Sequence, residues 1–235
     1  MNFLITAVQD WIAKMDKTFI QTGYYDMIFE GLGNTIKITL GALVIGVLIG
    51  LVIAVVKYLA EDSRALKPLG KLCDIYVTVI RGIPVVVLLL IFYFLIMRSS
   101  TNGVLVAIIT FGINSGAYMA ELIRSGINAV DKGQMEAGRC LGLSKMQTMT
   151  KIILPQAVRY VLPAVGNEFI ALLKETSVAG YVAVRDLTKA GDQIRNITYD
   201  AFNPLMVVAL IYLVLVIGLT ALLGKAEKHL AKENK

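Results

Sequence analysis

The sequence predicts an all-α integral membrane protein, and three observations predict it. Hydrophobic residues make up 57% of the 235, with mean hydropathy +0.70, too apolar for one ordinary soluble domain. No charge falls between Lys37 and Lys57, between Arg98 and Glu121, or between Asp200 and Lys225, leaving gaps of 19, 22 and 24 residues. A helix needs about 20 residues to cross the hydrocarbon. Lysine and arginine, finally, gather in the segments that separate such windows.

The first window contains Gly41, Gly46 and Gly50, and the last two form a G-x-x-x-G that lets helices approach closely in lipid. The second window, Ile75 to Met97, is interrupted by Arg81, and Arg81-Gly82-Ile83-Pro84 predicts a bend near its start. The third window repeats the small-residue spacing at Gly112 and Gly116. A fourth in chain order, about Val158 to Val178, carries Glu168, Lys174 and Glu175. With the Asp200–Lys225 window, the expectation is five transmembrane helices.

Orientation follows from the basic residues, which are enriched in cytoplasmic loops. Lys57, Arg64, Lys67 and Lys71 follow the first span; Arg124, Lys132, Arg139, Lys145 and Lys151 follow the third; Lys225, Lys228, Lys232 and Lys235 follow the last. Five spans put all three groups on one side, with the N-terminus outside and the C-terminus cytoplasmic. Arg185, Lys189 and Arg195 crowd the last external loop and run against the rule. The net charge of +6 is then a matter of topology rather than nucleic-acid binding.

Three divisions are expected: an N-terminal extension over 1–30, a membrane domain over 31–224, and a cytoplasmic tail over 225–235. In the extension, Phe3, Leu4, Val8, Trp11, Ile12 and Met15 alternate with charges, the spacing of a helix lying on the membrane surface. A weakly ordered extension is the other reading. No basic start followed by a small-residue cleavage site marks a signal peptide.

The segment 131–157 is polar and basic between apolar stretches. It predicts a cytoplasmic loop of two short helices joined by a glycine turn. Asp131 and Gln134 have capping-box spacing, as do Ser144 and Gln147. Gly142 stands where a helix end needs a left-handed residue, and Pro155 marks a further boundary or kink. A DNA-reading helix-turn-helix shares the glycine turn, but such readers sit in soluble domains. An amphipathic loop resting on lipid is the stronger alternative.

Enzymatic chemistry is not expected. Gly218, Gly224 and Lys225 only superficially suggest a phosphate loop, since the glycine spacing is wrong and Ala226 replaces Ser or Thr. The single His229 lies in the tail, and Cys73 and Cys140 form no disulfide framework. No cofactor or metal is implied.

Glu136-Ala137-Gly138-x-x-x-Gly142 followed by Ile152-x-Leu154-Pro155 resembles the loop of membrane subunits in bacterial ABC importers. Arg81-Gly82-Ile83-Pro84, Gly116-Ala117-Tyr118-Met119-Ala120-Glu121, Gly133-Gln134 and Asn167-Glu168-Phe169-Ile170-Ala171-Leu172-Leu173-Lys174 are similar to the polar amino-acid permease subfamily (the histidine, glutamine and arginine permeases). The resemblance covers about 31–223. Gly138 departs from it, because the family usually has a second Ala there. Glycine lowers helix propensity by ~1 kcal/mol relative to Ala, which predicts a loosened first short helix.

The resemblance implies a permease half that moves a polar amino acid inward, driven by cytoplasmic ATP-binding subunits. A second permease subunit, an extracytoplasmic amino-acid-binding protein and membrane lipid would complete its partners, with no nucleic acid. Glu136, Ala137, Gly138, Leu141, Gly142, Leu143 and Pro155 are expected to couple to the ATPase, with Met135 and Met146 as adaptable apolar contacts. Glu136 either engages the partner or caps the neighbouring helix.

For the substrate pathway the candidates are Glu168, Asn167, Asn114 and Tyr118. A carboxylate between Val161 and Leu173 is expensive in lipid and faces a cavity or a partner; a structural ion pair or a position near the interface are the alternatives. Asn114 and Tyr118 lie one turn apart. Glu121 and Arg124, three residues apart, read as a local ion pair. Two rival functions stand beside the importer: a membrane scaffold or sensor that recruits a soluble partner, and an ion-coupled amino-acid transporter. The latter usually shows internal repeats of spans, and none is evident.

Overall fold

A computed structural model describes residues 12–232. No strand occurs among the described residues, and the helices are α1 (Tyr25–Asp62), α2 (Lys67–Gly82), α3 (Val85–Ile91), α4 (Gly103–Asn128), α5 (Gly133–Cys140), α6 (Lys145–Thr148), α7 (Leu154–Glu175), α8 (Leu187–Thr198) and α9 (Phe202–Lys232). A π-helical turn, Phe92–Ile96, extends α3; another, Met149–Ile153, joins α6 to α7; a 3-10 stretch, Thr176–Val182, follows α7.

Helices α1, α4 and α9 are long and apolar enough to cross a membrane. Helix α2 and the α3 rod pass the same test only together, and they meet at 106°. The expected bend at Arg81–Pro84 is therefore nearly a right angle. Pro84 begins the new rod from an extended conformation, ψ 135°, and cannot continue α2. Helix α7 has 22 residues but carries Arg159, Glu168, Lys174 and Glu175. The first long helix starts at Tyr25, inside the segment assigned to the extension. The C-terminal tail continues α9 without a break as far as Lys232.

In lipid there is little hydrophobic force between helices, so close packing has to hold the bundle. Helices α1 and α4 supply it reciprocally. A Cβ on Gly46 would lie 2.8 Å from Ser115 Oγ, and one on Gly50 would lie 2.5 Å from Met119 Cβ. From the other side, a Cβ on Gly112 or Gly116 would meet Ile45 or Ile49 at 2.6 and 2.7 Å. Both glycine pairs read from the sequence thus face the opposite helix.

Around this seam Ile38, Leu89, Phe111, Leu172 and Val182 form a buried core shared by α1, α3, α4 and α7. At the end of the bundle nearest the start of α1, Phe19, Ile28, Leu187, Ile194 and Val208 form a second cluster. Phe19 belongs to a π-helical segment, Asp16–Gln21, so the end of the extension is docked on the bundle. The apolar residues expected at positions 3, 4, 8 and 11 lie outside the described residues. Helix α9 leaves Leu210, Leu213, Val214, Ile217 and Leu222 exposed, as a lipid-facing helix does.

Candidate functional site

The segment 131–157 begins differently from expectation. Lys132, not Asp131, is the N-cap residue of α5, and no side chain caps it. Asp131 Oδ1 instead accepts from the Gly133 amide at 2.6 Å, and Gln134 Oε1 accepts from Gln156 Nε2 on α7 at 3.4 Å. Gly133 has no side chain to hold Asp131 away from its own amide, so the shorter loop closes first.

The turn after α5 is a Schellman motif. The Leu143 amide donates to the Gly138 carbonyl at 3.1 Å, and the Gly142 amide to the Arg139 carbonyl at 3.0 Å. Gly142 sits at φ +83°, where a β-carbon is strained. Arg139 Nη1 donates to the Leu143 carbonyl at 2.9 Å and closes the turn from outside. Ser144 and Gln147 then form a full capping box, with bonds of 3.1 and 2.9 Å.

Gly138 is buried, and a Cβ there would lie 2.8 Å from Thr148 Oγ1 and nearer still to its Cγ2. The glycine is a contact surface. Pro155 marks the expected boundary: the π turn Met149–Ile153 ends just before it, and the proline stands in the first turn of α7. From Lys145 to Glu175 the chain is helical throughout, and the π turn just before Pro155 absorbs its missing N–H and ring. Gln156 Nε2 also donates to the Ile152 carbonyl at 2.9 Å. The elbow therefore has one free short helix, α5, while α6 is the end of a rod.

Its base is fastened. Val130, Met149, Ile153 and Ala157 pack with Tyr58, Ile127 and Met135, joining α1, α4 and α7 under the turn. Lys145 Nζ stands 3.8 Å from Glu61 and 5.1 Å from the centre of the Tyr58 ring. Glu136, Ala137, Gly142 and Pro155 are exposed, and Leu143 is half-buried. Leu141 is 80% exposed at the apex. Glu136 makes no ion pair or side-chain hydrogen bond among the described residues, so it caps nothing there.

Of the pathway candidates, Asn114 and Glu168 meet the facing helix at the seam between α4 and α7, whereas Tyr118 faces α2. Ser115 Oγ donates to Glu168 Oε1 at 3.1 Å, and Asn114 Nδ2 donates to Glu175 Oε2 at 3.4 Å. Glu168 is half-buried and has no ion pair among the described residues. Asn167 is exposed beside it. The Arg81 guanidinium lies over the Tyr118 ring, 5.1 Å from its centre. A cleft of about 550 Å³ opens next to that pair, lined also by Thr78, Glu121 and Arg124. Glu121 and Arg124 pair with each other, as their spacing implied.

Ser115 and Glu175 at this seam, and Arg81 beside Tyr118, were not among the candidates expected from the sequence. Glu168 and Glu175 are seven apart on one helix, which places both on one face. That spacing was the available signal.

At the opposite end of the bundle, the cations of the segment between α7 and α9 are engaged. Arg185 Nη1 lies 2.5 Å from Glu30 Oε2; Lys189 and Arg195 both reach Asp192, at 3.1 and 2.6 Å. Lys189, then Arg195, holds the Asp192 carboxyl below the usual carboxylate range. Asp186 is fully buried and accepts from the Lys189 amide at 2.7 Å, while its Oδ2 finds no partner. Burial pushes this carboxyl up to about 7.

Comparison with known proteins fits this architecture. Residues 46–232 match the family of binding-protein-dependent transport system inner membrane components, and the chain belongs to that family. An arginine transport system permease protein of Bacillus subtilis (strain 168) is 36% identical over 210 residues, covering 88% of this chain and 93% of the relative. A putative glutamine transport system permease protein of Rickettsia bellii (strain RML369-C) is 36% identical over 206 residues, covering 86% and 92%.

Among solved structures, an amino acid ABC transporter crystallised with histidines has a TM-score of 0.82 at 39% identity, covering 89% of this chain and 96% of that one. The MetNI methionine ABC transporter, at 22% identity and a TM-score of 0.74 over 86% and 95%, shows the shared fold. The chain is a multi-pass permease subunit of an ABC transporter, a transport component rather than an enzyme.

Proposed function

We propose that this chain is half of a permease that imports a polar amino acid, and that α5 with the Gly142 turn docks into a cytoplasmic ATP-binding subunit. The observation that carries the proposal is mechanical. Helix α5 is locked to α6 through Gly138 and Thr148, and α6 is continuous with α7, which bears Glu168 and Glu175. A displacement applied at Leu141 therefore reaches the polar seam along one continuous helical path.

Five spans are taken up by α1, the α2–α3 pair, α4, α7 and α9, with the N-terminus outside and the C-terminus in the cytoplasm. This arrangement puts the elbow, Lys57–Lys71 and the tail together inside. Arg185, Lys189 and Arg195 then lie outside, paired with Glu30 and Asp192. ATP-bound partner subunits drive transport only by favouring one permease state over another through differential contact at the elbow. Glu168, Asn167, Asn114 and Tyr118 line the route, with Ser115, Glu175 and Arg81 added to it. A second permease subunit supplies the facing wall, and an external binding protein delivers the substrate.

The relatives named for arginine and glutamine, and the neighbour crystallised with histidines, support polar amino acids as the substrate class. Uptake of radiolabelled amino acids into vesicles holding the permease, its ATPase and the binding protein tests the proposal. ATP-dependent uptake of at least one polar amino acid is expected. Uptake that survives without any ATPase would contradict it.

A further inference from the structure

At the cytoplasmic end of the helices, α1, α2 and α4 diverge and leave a cleft of about 320 Å³. Its floor is apolar, with Ala54, Ala60, Ala120 and Ile127 among the lining residues. Its rim is charged, and the charges are unequally matched. The two acids on the rim are already engaged. Glu61 lies 3.8 Å from Lys145, which is outside the cleft, and Asp74 lies 2.5 Å from Lys57. Arg124 pairs with Glu121. Lys67 and Lys71, one turn apart on α2, meet no acidic partner among the described residues.

A space with an apolar floor and two unmatched ammonium groups at its mouth is complementary to an amphiphile with an anionic head. The neighbouring surface agrees. Leu69, Leu72, Ile75 and Val79 of α2 are all about half exposed. They run along the helix as an apolar stripe beginning beside the two lysines, where acyl chains can lie. Close approach at Gly70, where a Cβ would sit 3.0 Å from Ala60 Cβ, and the Lys57–Asp74 pair hold α2 against α1. These contacts define the wall of the opening.

We infer that the cleft between the cytoplasmic ends of α1, α2 and α4 seats the phosphate of an anionic phospholipid from the inner leaflet, held by Lys67 and Lys71. Basic pockets between membrane helices on the cytoplasmic side suit such headgroups. The inference rests on the cytoplasmic placement of the α1–α2 connection proposed above. The consequence is a dependence of the transporter on membrane charge, acting where α2 is braced against α1 and α4.

The test uses the full transporter, purified from membranes containing both phosphatidylglycerol and phosphatidylcholine, with retained lipid measured by native mass spectrometry. Wild type is expected to keep phosphatidylglycerol selectively. Since each basic residue near an anionic surface contributes ~1 kcal/mol, Lys67→Gln with Lys71→Gln should lower that retention by about 30-fold. Arg64→Gln, a basic residue outside the cleft, should leave it unchanged.

Equal retention in the double variant and wild type would overturn the site. An equal loss in Arg64→Gln would also overturn it, in favour of a diffuse basic surface. Displacement of the lipid by millimolar inorganic phosphate, with no selectivity for phosphatidylglycerol, would make the occupant a free anion and refute the lipid. A reporter fused within 63–66 tests the placement separately: an external signal defeats the topology, whatever the lipid result.

Discussion

Gly138 lies flush against the side chain of Thr148, so closely that a single methyl group on the glycine would collide with it. This contact joins the short helix α5 to the helix that continues into α7. An Ala at this position would gain ~1 kcal/mol of helix propensity, yet the overpacking it introduces costs ~1–3 kcal/mol. Packing outweighs propensity here.

Gly138→Ala is therefore expected to weaken coupling, seen as more ATP hydrolysed per substrate moved. Adding Thr148→Ala removes both Cγ2 and Oγ1, leaving the Cβ at 3.2 Å, and should restore the wild-type ratio. If Gly138→Ala alone couples normally, the contact does not transmit motion.

Gly142→Val should abolish uptake while membrane insertion stays normal, because a β-branched residue at φ +83° is strained by ~1–2 kcal/mol or more. Gly142→Asn, which tolerates the left-handed region, should retain most activity. Glu136→Lys reverses the charge of an exposed carboxylate with no partner among the described residues and should also uncouple. Normal ATP-dependent uptake by Glu136→Lys would remove that residue from the docking surface.

Glu168→Gln keeps an acceptor for Ser115 but removes the charge. A hydrogen bond to a charged group contributes ~1.5–3 kcal/mol, so uptake of cationic amino acids should fall about tenfold or more relative to neutral ones. Uptake competition between the two classes measures this. Unchanged selectivity and rate would place Glu168 outside the route.

Much of this frame was legible because it depends on the absence of side chains. Gly46, Gly50, Gly112 and Gly116 can be read as contact points at their spacing, and each faces the partner helix. Gly142 and the Ser144–Gln147 box are equally local, and both form. What was not legible depends on tertiary neighbours. Gln134 is drawn to Gln156 across the elbow, and Thr148 gives Gly138 its reason. Pro155 signalled an irregularity at this place, but its π-helical form left no pattern in composition. The pairing of Asn114 with Glu175 and Ser115 with Glu168 requires α4 and α7 to be adjacent, which no single helix reveals.

The α1–α4 seam yields a control pair. Gly50→Val would drive a branched side chain into Met119 and the Ala120 backbone, while Gly218 has nothing within 4 Å of its Cβ position. Gly50→Val should lower the yield of folded, detergent-stable protein, and Gly218→Ala should not. Size-exclusion profiles after mild heating distinguish them.

Asp186 predicts a pH dependence in the connection between α7 and α9. Its folded value, about 7, lies above its unfolded value of 3.8, so the folded state holds the extra proton between them. The associated stability is full below the unfolded value and is lost as pH rises through the folded one. The thermal midpoint of the solubilised protein should thus rise on lowering the pH from about 8 to about 6. Asp186→Asn, which still caps α8, should flatten that part of the profile; an unchanged slope would assign it to other groups.

The most direct test of the central claim is photo-crosslinking from position 141 in the assembled transporter, with and without ATP. The account predicts an adduct with the ATP-binding subunit whose yield changes on nucleotide binding. No adduct in either state, together with labelling of position 141 by an impermeant reagent applied outside intact cells, would contradict it.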